Sequence, residues 1–319
     1  MAFTEIDNIV DNKTVFSRAL KLMGNRFQIS VIAENQAWAD GCIHAAILEI
    51  QRIEKLLTTF NEESETALIN KSAGIQPVKV SKETFDIIER SVRISNITQG
   101  AFDITYGSVD KRLWNFDTNM TSLPDKETAK KMVRLVNYRN IILDRKNSSV
   151  FLKEEGMRIG FGGIGKGYAA EKAKQVMIEM GAESGIVNAS GDLTVWGYQP
   201  NGEPWTIGVV NPNSAGEIFS YMNVTNMAIA TSGNYEKFVM IDGKKYSHTI
   251  NPRTGLPVTG IKSVTIISTN AEIADAMATP VMIMGIHAGL DMINQIKDME
   301  AIIVDDDDIV YKSNNIHFN

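Results

Sequence analysis

Between residues 160 and 168 the chain reads Gly160-Phe161-Gly162-Gly163-Ile164-Gly165-Lys166-Gly167-Tyr168. Four glycines precede a lysine, with an apolar stretch on one side and a helix-like stretch on the other. Glycine permits positive φ and removes the Cβ that would hold an anion away from the backbone. A helix starting just afterwards would aim its unpaired amides and positive dipole end at such an anion. The segment therefore reads as a strand–turn–helix junction, either in contact with a nucleotide phosphate or purely structural. It matches Gly160-x-Gly162-x-x-Gly165, the dinucleotide fingerprint, and Gly160-x₄-Gly165-Lys166, a P-loop up to its last residue. Gly167 stands where a P-loop needs a hydroxyl for Mg²⁺. The dinucleotide reading needs a repeated βαβ array, whereas the preceding residues hold long helices and a hairpin.

The rest of the chain points to an α+β fold, helix-rich first and strand-rich later. Residues 26–34 alternate as a strand. Asp40 is a candidate N-cap for a helix carrying Ile43, Ala46, Ile47, Ile50, Ile53 and Leu57 at helical spacing. Ser81 opens a second helix that stops at Gly100, and Pro124-Asp125 opens a short polar one. Ile141–Leu143 and Val150–Leu152 read as a hairpin. A helix over about 168–180 is followed by short strands near 186–188, 193–198, 205–210, 218–224, 227–230 and 238–241. Further strands near 264–267, 301–304 and 309–311 enclose helices near 272–284 and 288–296. Asp305–Asp308 lacks calcium-loop spacing and reads as a solvated turn. No linker divides the 319 residues, so a single domain over 1–319 is expected.

Lys and Arg number 32 against 38 Asp and Glu, for a net charge of −6, which argues against a nucleic-acid partner. Cys42 is the one cysteine. Its place in an apolar-periodic helix makes it a buried thiol and excludes disulfides and thiolate metal sites. No run approaches the length of a membrane span, and no signal peptide or lipid-accepting Cys opens the sequence. A cytoplasmic protein is the expectation, or an exported one if a leader has been removed.

Three more segments gather functional groups. Gly100-Ala101-Phe102-Asp103-Ile104-Thr105 follows a helix, and Thr231-Ser232-Gly233-Asn234-Tyr235 reads as a polar turn between strands. Ser247-His248-Thr249-Ile250-Asn251-Pro252-Arg253-Thr254-Gly255-Leu256-Pro257 ends a strand in a proline-fixed loop, the kind of place where sites lie. Of four histidines, His44 lies in a helix and His287 and His317 in surface-like stretches. His248 is thus the candidate general base, or else a histidine bonded within its own turn. Asp275 and Thr279, spaced i, i+4, share a helix face. They can offer oxygen to a hard cation such as Mg²⁺, or act as a helix acid and a back-bonded threonine.

In this order the segments resemble the ApbE-like family of FAD:protein FMN transferases, or flavin-trafficking proteins, over nearly the whole chain from Met23-Gly24 to Asp275–Thr279. The family pattern includes an early Met-Gly, GAFDIT, D-x-G-G-I-A-K-G-Y-A, T-S-G, H-x-I-D-P-x-T-G-x-P and A-D-A-x-x-T. The resemblance implies tandem T-fold-like halves, antiparallel sheets with helices, meeting at the active site. It implies FAD contacts at Met23, Phe60, Ala101, Phe102, Asp103, Lys166 and Ile250. The implied Mg²⁺ ligands are the Gly163 carbonyl and the side chains of Asp275 and Thr279. His248 and Asp275 become the catalytic pair. The chain departs from the pattern at Gly160 and Asn251, where Asp is usual, and at Asp192, where Asn is usual.

The implied activity is Mg²⁺-dependent transfer of FMN from FAD to a Thr or Ser hydroxyl of an acceptor flavoprotein, with release of AMP. Hydrolysis of FAD to FMN and AMP, or non-catalytic FAD binding and delivery, are the alternatives. In that chemistry Lys166 and the glycine-segment backbone steady the phosphates, and His248 takes the proton of the acceptor hydroxyl.

Overall fold

A computed structural model describes residues 13–210, 218–233 and 238–316. The described chain starts as a hairpin, β1 (Thr14–Leu22) and β2 (Asn25–Ala33), turned at Met23 and Gly24, whose φ angles are 50° and 75°. Helix α1 (Gln36–Leu57) is capped by Asn35, whose side chain accepts from the Trp38 amide at 3.1 Å. The helix therefore starts before Asp40, the expected cap, which lies inside it and pairs with Arg18 at 3.4 Å. Next come α2 (Glu65–Lys71), β3 (Val78–Lys79) and α3 (Lys82–Ile97), the last capped by Ser81 as its sequence predicts. A 3₁₀ turn over Ile104–Ser108 leads to α4 (Lys126–Met132), capped by Asp125, and to the hairpin β4 (Ile141–Asp144) and β5 (Ser149–Leu152).

Helix α5 (Gly165–Glu179) follows the glycine segment and leads to β6 (Gly185–Ala189) and β7 (Asp192–Trp196). An excursion through β8 (Trp205–Val210) and β9 (Ile218–Val224) returns to β10 (Met227–Gly233). A second small hairpin, β11 (Phe238–Ile241) and β12 (Lys244–Ser247), precedes β13 (Ile261–Ser268). The described chain closes with α6 (Ala271–Met284), α7 (Ile286–Ile293), β14 (Met299–Asp305) and β15 (Val310–Lys312).

Eight strands form one antiparallel sheet in the order β1-β2-β6-β7-β10-β13-β14-β15. It divides into two like halves. The first is β1-β2-α1-α5-β6-β7, with residues 58–164 inserted between its helices. The second is β10-β13-α6-α7-β14-β15, with β11 and β12 inserted after β10. The halves join edge to edge through β7 and β10, Val195 opposite Met227 and Leu193 opposite Ile229. This is the tandem α+β arrangement that the resemblance implies.

Strand alternation sorts the two faces of the sheet. Phe27, Ile29 and Val31 of β2 join the main core with Ile43, Ile50 and Ile53 of α1 and Ala169, Ala170 and Ala173 of α5. On the other face Ile32, Leu193, Val195, Ile229, Ile267 and Ile302 pack with Trp205 and Val224 of the β8–β9 excursion. With both faces covered, all eight residues of β13 are buried.

Helices α5 and α6 approach so closely that a side chain between them has no room. A Cβ on Gly167 would fall on the Ala271 carbonyl and 2.8 Å from Asp275 Cβ. Gly167 is not at positive φ, and neither are Gly160, Gly162, Gly163 or Gly165. The segment uses glycine for close approach and bare backbone, contrary to the expected conformational role. Substitution Gly167→Ala should therefore lower stability by roughly 1–3 kcal/mol or more through overpacking. Urea denaturation measures this, and an unchanged midpoint would contradict the packing described.

Candidate active site

The polar residues of interest meet on the helix-covered face, at the seam between the halves. Because Leu193 and Val195 face the excursion, Asp192 and Thr194 of β7 face the helices. Ser232 shares the helix side of β10 with Ala228 and Ala230, opposite Ile229, and its Oγ lies 3.3 Å from Thr279 Oγ1 of α6. In the first turn of α5, Lys166 Nζ donates to Asp192 Oδ2 and stands 4.0 Å from Asp275 Oδ1. The Gly167 amide donates to Asp275 Oδ2 at 2.9 Å. Ile164, at the cap of α5, makes no side-chain cap bond. The anion at the start of this helix is thus the chain's own carboxylate, held where the helix dipole favours it.

Two buried carboxylates share one ammonium. Burial, reinforced by the charge of Asp192, pushes Asp275 up to about 7. Burial also raises Asp192, against the pull of Lys166. Burial opposes the charge on Lys166, but Asp275 and Asp192 outweigh it and hold the ammonium above its ordinary value.

A cavity of about 410 Å³ opens at the same seam. Gly160, Gly162 and Gly163 form one wall and Ala101, Phe102 and Asp103 the adjoining one, while Ser232 and Thr279 contribute hydroxyls. His248 and Ile250 close the remaining side. Backbone bonds assemble these walls. The Gly160 amide donates to the Ile104 carbonyl at 2.9 Å, and Ser108 Oγ to the Arg158 carbonyl at 3.0 Å. Asn70 brackets the intervening residue, accepting from the Ile159 amide at 2.7 Å and donating to its carbonyl at 3.0 Å. The His248 loop is a tight turn bridged between Ile250 and Pro257, with the Asn251 amide on the Leu256 carbonyl at 2.9 Å. Asn251 Oδ1 accepts from the Arg253 amide at 2.9 Å, so this departure from the family pattern keeps the turn-forming role of an Asp.

Of the residues carried over by resemblance, Ala101, Phe102, Asp103, Gly163, His248, Ile250 and Thr279 line the cavity. Asp103 does so with its carboxylate engaged elsewhere: it accepts from the Thr105 amide at 2.8 Å, the Thr105 hydroxyl at 2.6 Å and the Tyr138 amide at 2.9 Å. Its side chain holds the turn. Lys166 and Asp275 lie outside the lining, in the charge cluster. Met23 also lies outside it, its methyl 3.7 Å from where a Gly165 Cβ would be. Phe60 stands 98% exposed, on a loop whose Thr59 is the nearest neighbour to a Cβ on Gly160. Thr231–Gly233 ends strand β10 and is no turn, because it pairs with Ser263–Thr265 of β13. Asn234 and Tyr235 lie outside the described residues, as does His317.

Sequence reasoning missed the part played by Asp192, whose only signal was its departure from the family pattern. It also missed Tyr106, a hydroxyl just beyond the Ala101–Thr105 segment. Tyr106 lines the cavity, and burial pushes it up to about 12.

The family model for ApbE matches residues 23–303. The chain belongs to the ApbE family. It is 31% identical over 296 residues to an FAD:protein FMN transferase of Klebsiella pneumoniae (strain 342), covering 92% of this chain and 90% of that one. A Treponema pallidum protein of the same name is 27% identical over 308 residues, covering 91% and 84%. The crystal structure of the ApbE protein of Thermotoga maritima superimposes with a TM-score of 0.83 at 29% identity, covering 94% of this chain and 97% of that one. Flavin transferase ApbE from Vibrio cholerae shares the fold at 23% identity, with a TM-score of 0.82 over 94% and 97% of the two chains.

Among the described residues no three His, Cys, Asp or Glu side chains cluster as a metal cage. Mg²⁺ does not require one, since it binds through one or two carboxylates, other oxygens, water and substrate phosphate. Asp275, with Thr279 one turn on and the Gly163 carbonyl, offers such an all-oxygen set. When both are ionised, the buried carboxylate pair carries one negative charge more than Lys166 balances. Among the described residues no helix is long and apolar enough to cross a membrane.

Two outcomes follow. Asp192 and Asp275 hold protons more tightly in the folded chain than in the unfolded one, where Asp titrates at about 3.9. Their contribution to stability is complete below about pH 4 and is lost as pH rises through the folded values. In chelator-treated samples Asp275→Asn should flatten the decline in denaturant midpoint between about pH 5 and about pH 7.5. A decline parallel to wild type would contradict the assignment. At Gly160, which is not left-handed, a Cβ would meet only Thr59 Cγ2 at 4.0 Å. Gly160→Asp should therefore melt at the wild-type temperature and bind FAD at least as well; a lower melting temperature together with weaker binding would show the site rejects it.

Proposed function

We propose that this chain moves FMN from FAD to a Thr or Ser hydroxyl of an acceptor flavoprotein in a Mg²⁺-dependent reaction that releases AMP. The observation that carries this reading is the meeting of His248 with Gly163 and Thr279 around one cavity, at the same seam where two buried carboxylates share one ammonium. Relatives named FAD:protein FMN transferase over most of their length support the same activity.

The acceptor oxygen attacks the phosphorus of the FMN half of FAD. A new P–O bond forms, the bond to the AMP phosphate breaks, and AMP leaves with the bonding pair. The hydroxyl proton must go to a base. His248 is exposed at the cavity wall, where an incoming side chain can reach it, and is the group assigned to take that proton. Phe116 packs edge-on against its ring at 6.4 Å between centroids and helps fix its orientation. The bare amides of Gly162 and Gly163 can approach phosphate oxygens without an intervening Cβ. Asp275, Thr279 and the Gly163 carbonyl would hold Mg²⁺, which supplies Lewis-acid polarisation of the pyrophosphate and neutralises its charge. Asp275 Oδ2 is anchored by the Gly167 amide, so the carboxylate that would hold the cation is oriented by the helix backbone.

Incubation with FAD, Mg²⁺ and a co-expressed acceptor tests the reading. AMP together with an FMN adduct on the acceptor, seen by mass spectrometry, is the expected result. AMP without an adduct would mark a hydrolase, and neither product a binding protein. His248→Ala should slow transfer by about 10²–10⁴-fold at saturating FAD while leaving FAD affinity near wild type. Lost affinity with unchanged turnover would make His248 a binding residue.

A further inference from the structure

We infer that the outer flank of the cavity is a docking surface for an acidic segment of the acceptor protein; this rests on the transferase reading above. A second depression, of about 420 Å³, adjoins the cavity and shares Asp103 and Pro252 with it. Four cations border it: Lys130 from the last turn of α4, Arg134, Arg139 and Arg253. All four are exposed. Arg139 lies over the Tyr138 ring at 4.7 Å, and Arg253 donates to the Gln99 carbonyl. Among the described residues none of the four forms an ion pair with a carboxylate. Asp103 is the one acid among the residues bordering the depression, and it is turned into its own capping bonds.

In a chain with a net charge of −6, four cations without ion-pair partners on one flank of a cavity concentrate positive charge there. Their position matches the path of an acceptor. Arg253 belongs to the same loop as His248, so a polypeptide that presents a hydroxyl to His248 runs on across this flank. The open, solvent-facing placement suits a polypeptide better than the phosphates of FAD. A phosphate site would be expected to enclose its cations, whereas flexible rim charges steer association and choose among partners. The partner chemistry is thus a Thr or Ser segment flanked by Asp and Glu.

The test uses fluorescein-labelled peptides of equal length, each with one central Thr, flanked by Asp and Glu, by Ser and Gly, or by Lys. Fluorescence polarisation reads their binding to the FAD-loaded protein at low and at physiological salt. The acidic peptide should bind about tenfold or more tightly than the neutral one at low salt, and the difference should shrink as salt screens it. The double variant Lys130→Glu, Arg134→Glu, which alters two exposed side chains that form no ion pair, should abolish or reverse the preference. It should leave FAD affinity unchanged. Equal affinity for all three peptides, or a preference that the charge reversal does not move, overturns the inference. A parallel loss of FAD affinity in the double variant also overturns it, by assigning the cations to FAD. Failure of the transferase reading appears separately, as absence of an FMN adduct on a co-expressed acceptor incubated with the wild type, FAD and Mg²⁺.

Discussion

The contact between the Gly167 amide and the Asp275 carboxylate is the constraint on which the rest of the site depends. It exists only because α5 and α6 approach to a distance that admits no Cβ at Gly167. That approach brings a helix N-terminus from the first half of the fold against a helix side chain from the second. Lys166 follows from it, since the neighbouring residue in the same turn is delivered to Asp192 and Asp275 together. Thr279 follows as well, one turn along α6, where it meets Ser232 from the central strand pair.

The charge balance at this place explains why polar residues are tolerated inside the fold. An unpaired buried carboxylate is costly, and here two face a single ammonium. The helix dipole and the Gly167 amide offset part of the excess. The remainder is held as protons, or is available to a bound cation. On the proposed reading, a cation bound there would couple metal affinity to stability through the same oxygen atoms.

Much of the fold was legible because apolar spacing is a direct record of burial. The repeat in α1 and the helix starts at Ser81 and near Asp125 read correctly from sequence. Strand β1 was not read. It is an edge strand, mostly exposed, so its residues carry no clean alternation of burial. The cap at Asp40 misled because a good capping residue also serves inside a helix when it finds a partner, here Arg18. At the site, the motifs located the walls of the cavity but not the direction in which each side chain points. Asp103 and Ser232 show the difference: the first is spent on its own turn, and the second faces the helices because strand register puts it there. Asp192 was invisible as a site residue because its role is set by strand pairing and a helix packed above it, neither of which is written in adjacent letters.

The two halves of the molecule are separated in sequence by the β8–β9 excursion, yet their strands β7 and β10 are hydrogen-bonded neighbours. Lys166 and Asp192 belong to one half, Asp275, Thr279 and Ser232 to the other. A backbone cut in the excursion would sever no site residue from its own half. Two such fragments, mixed in trans, could rebuild the charge cluster by pairing β7 with β10 and packing α5 against α6. The seam is therefore a point at which chain continuity and site integrity are separable, and recovered activity after fragment complementation would report the docking of β7 on β10 together with α5 on α6.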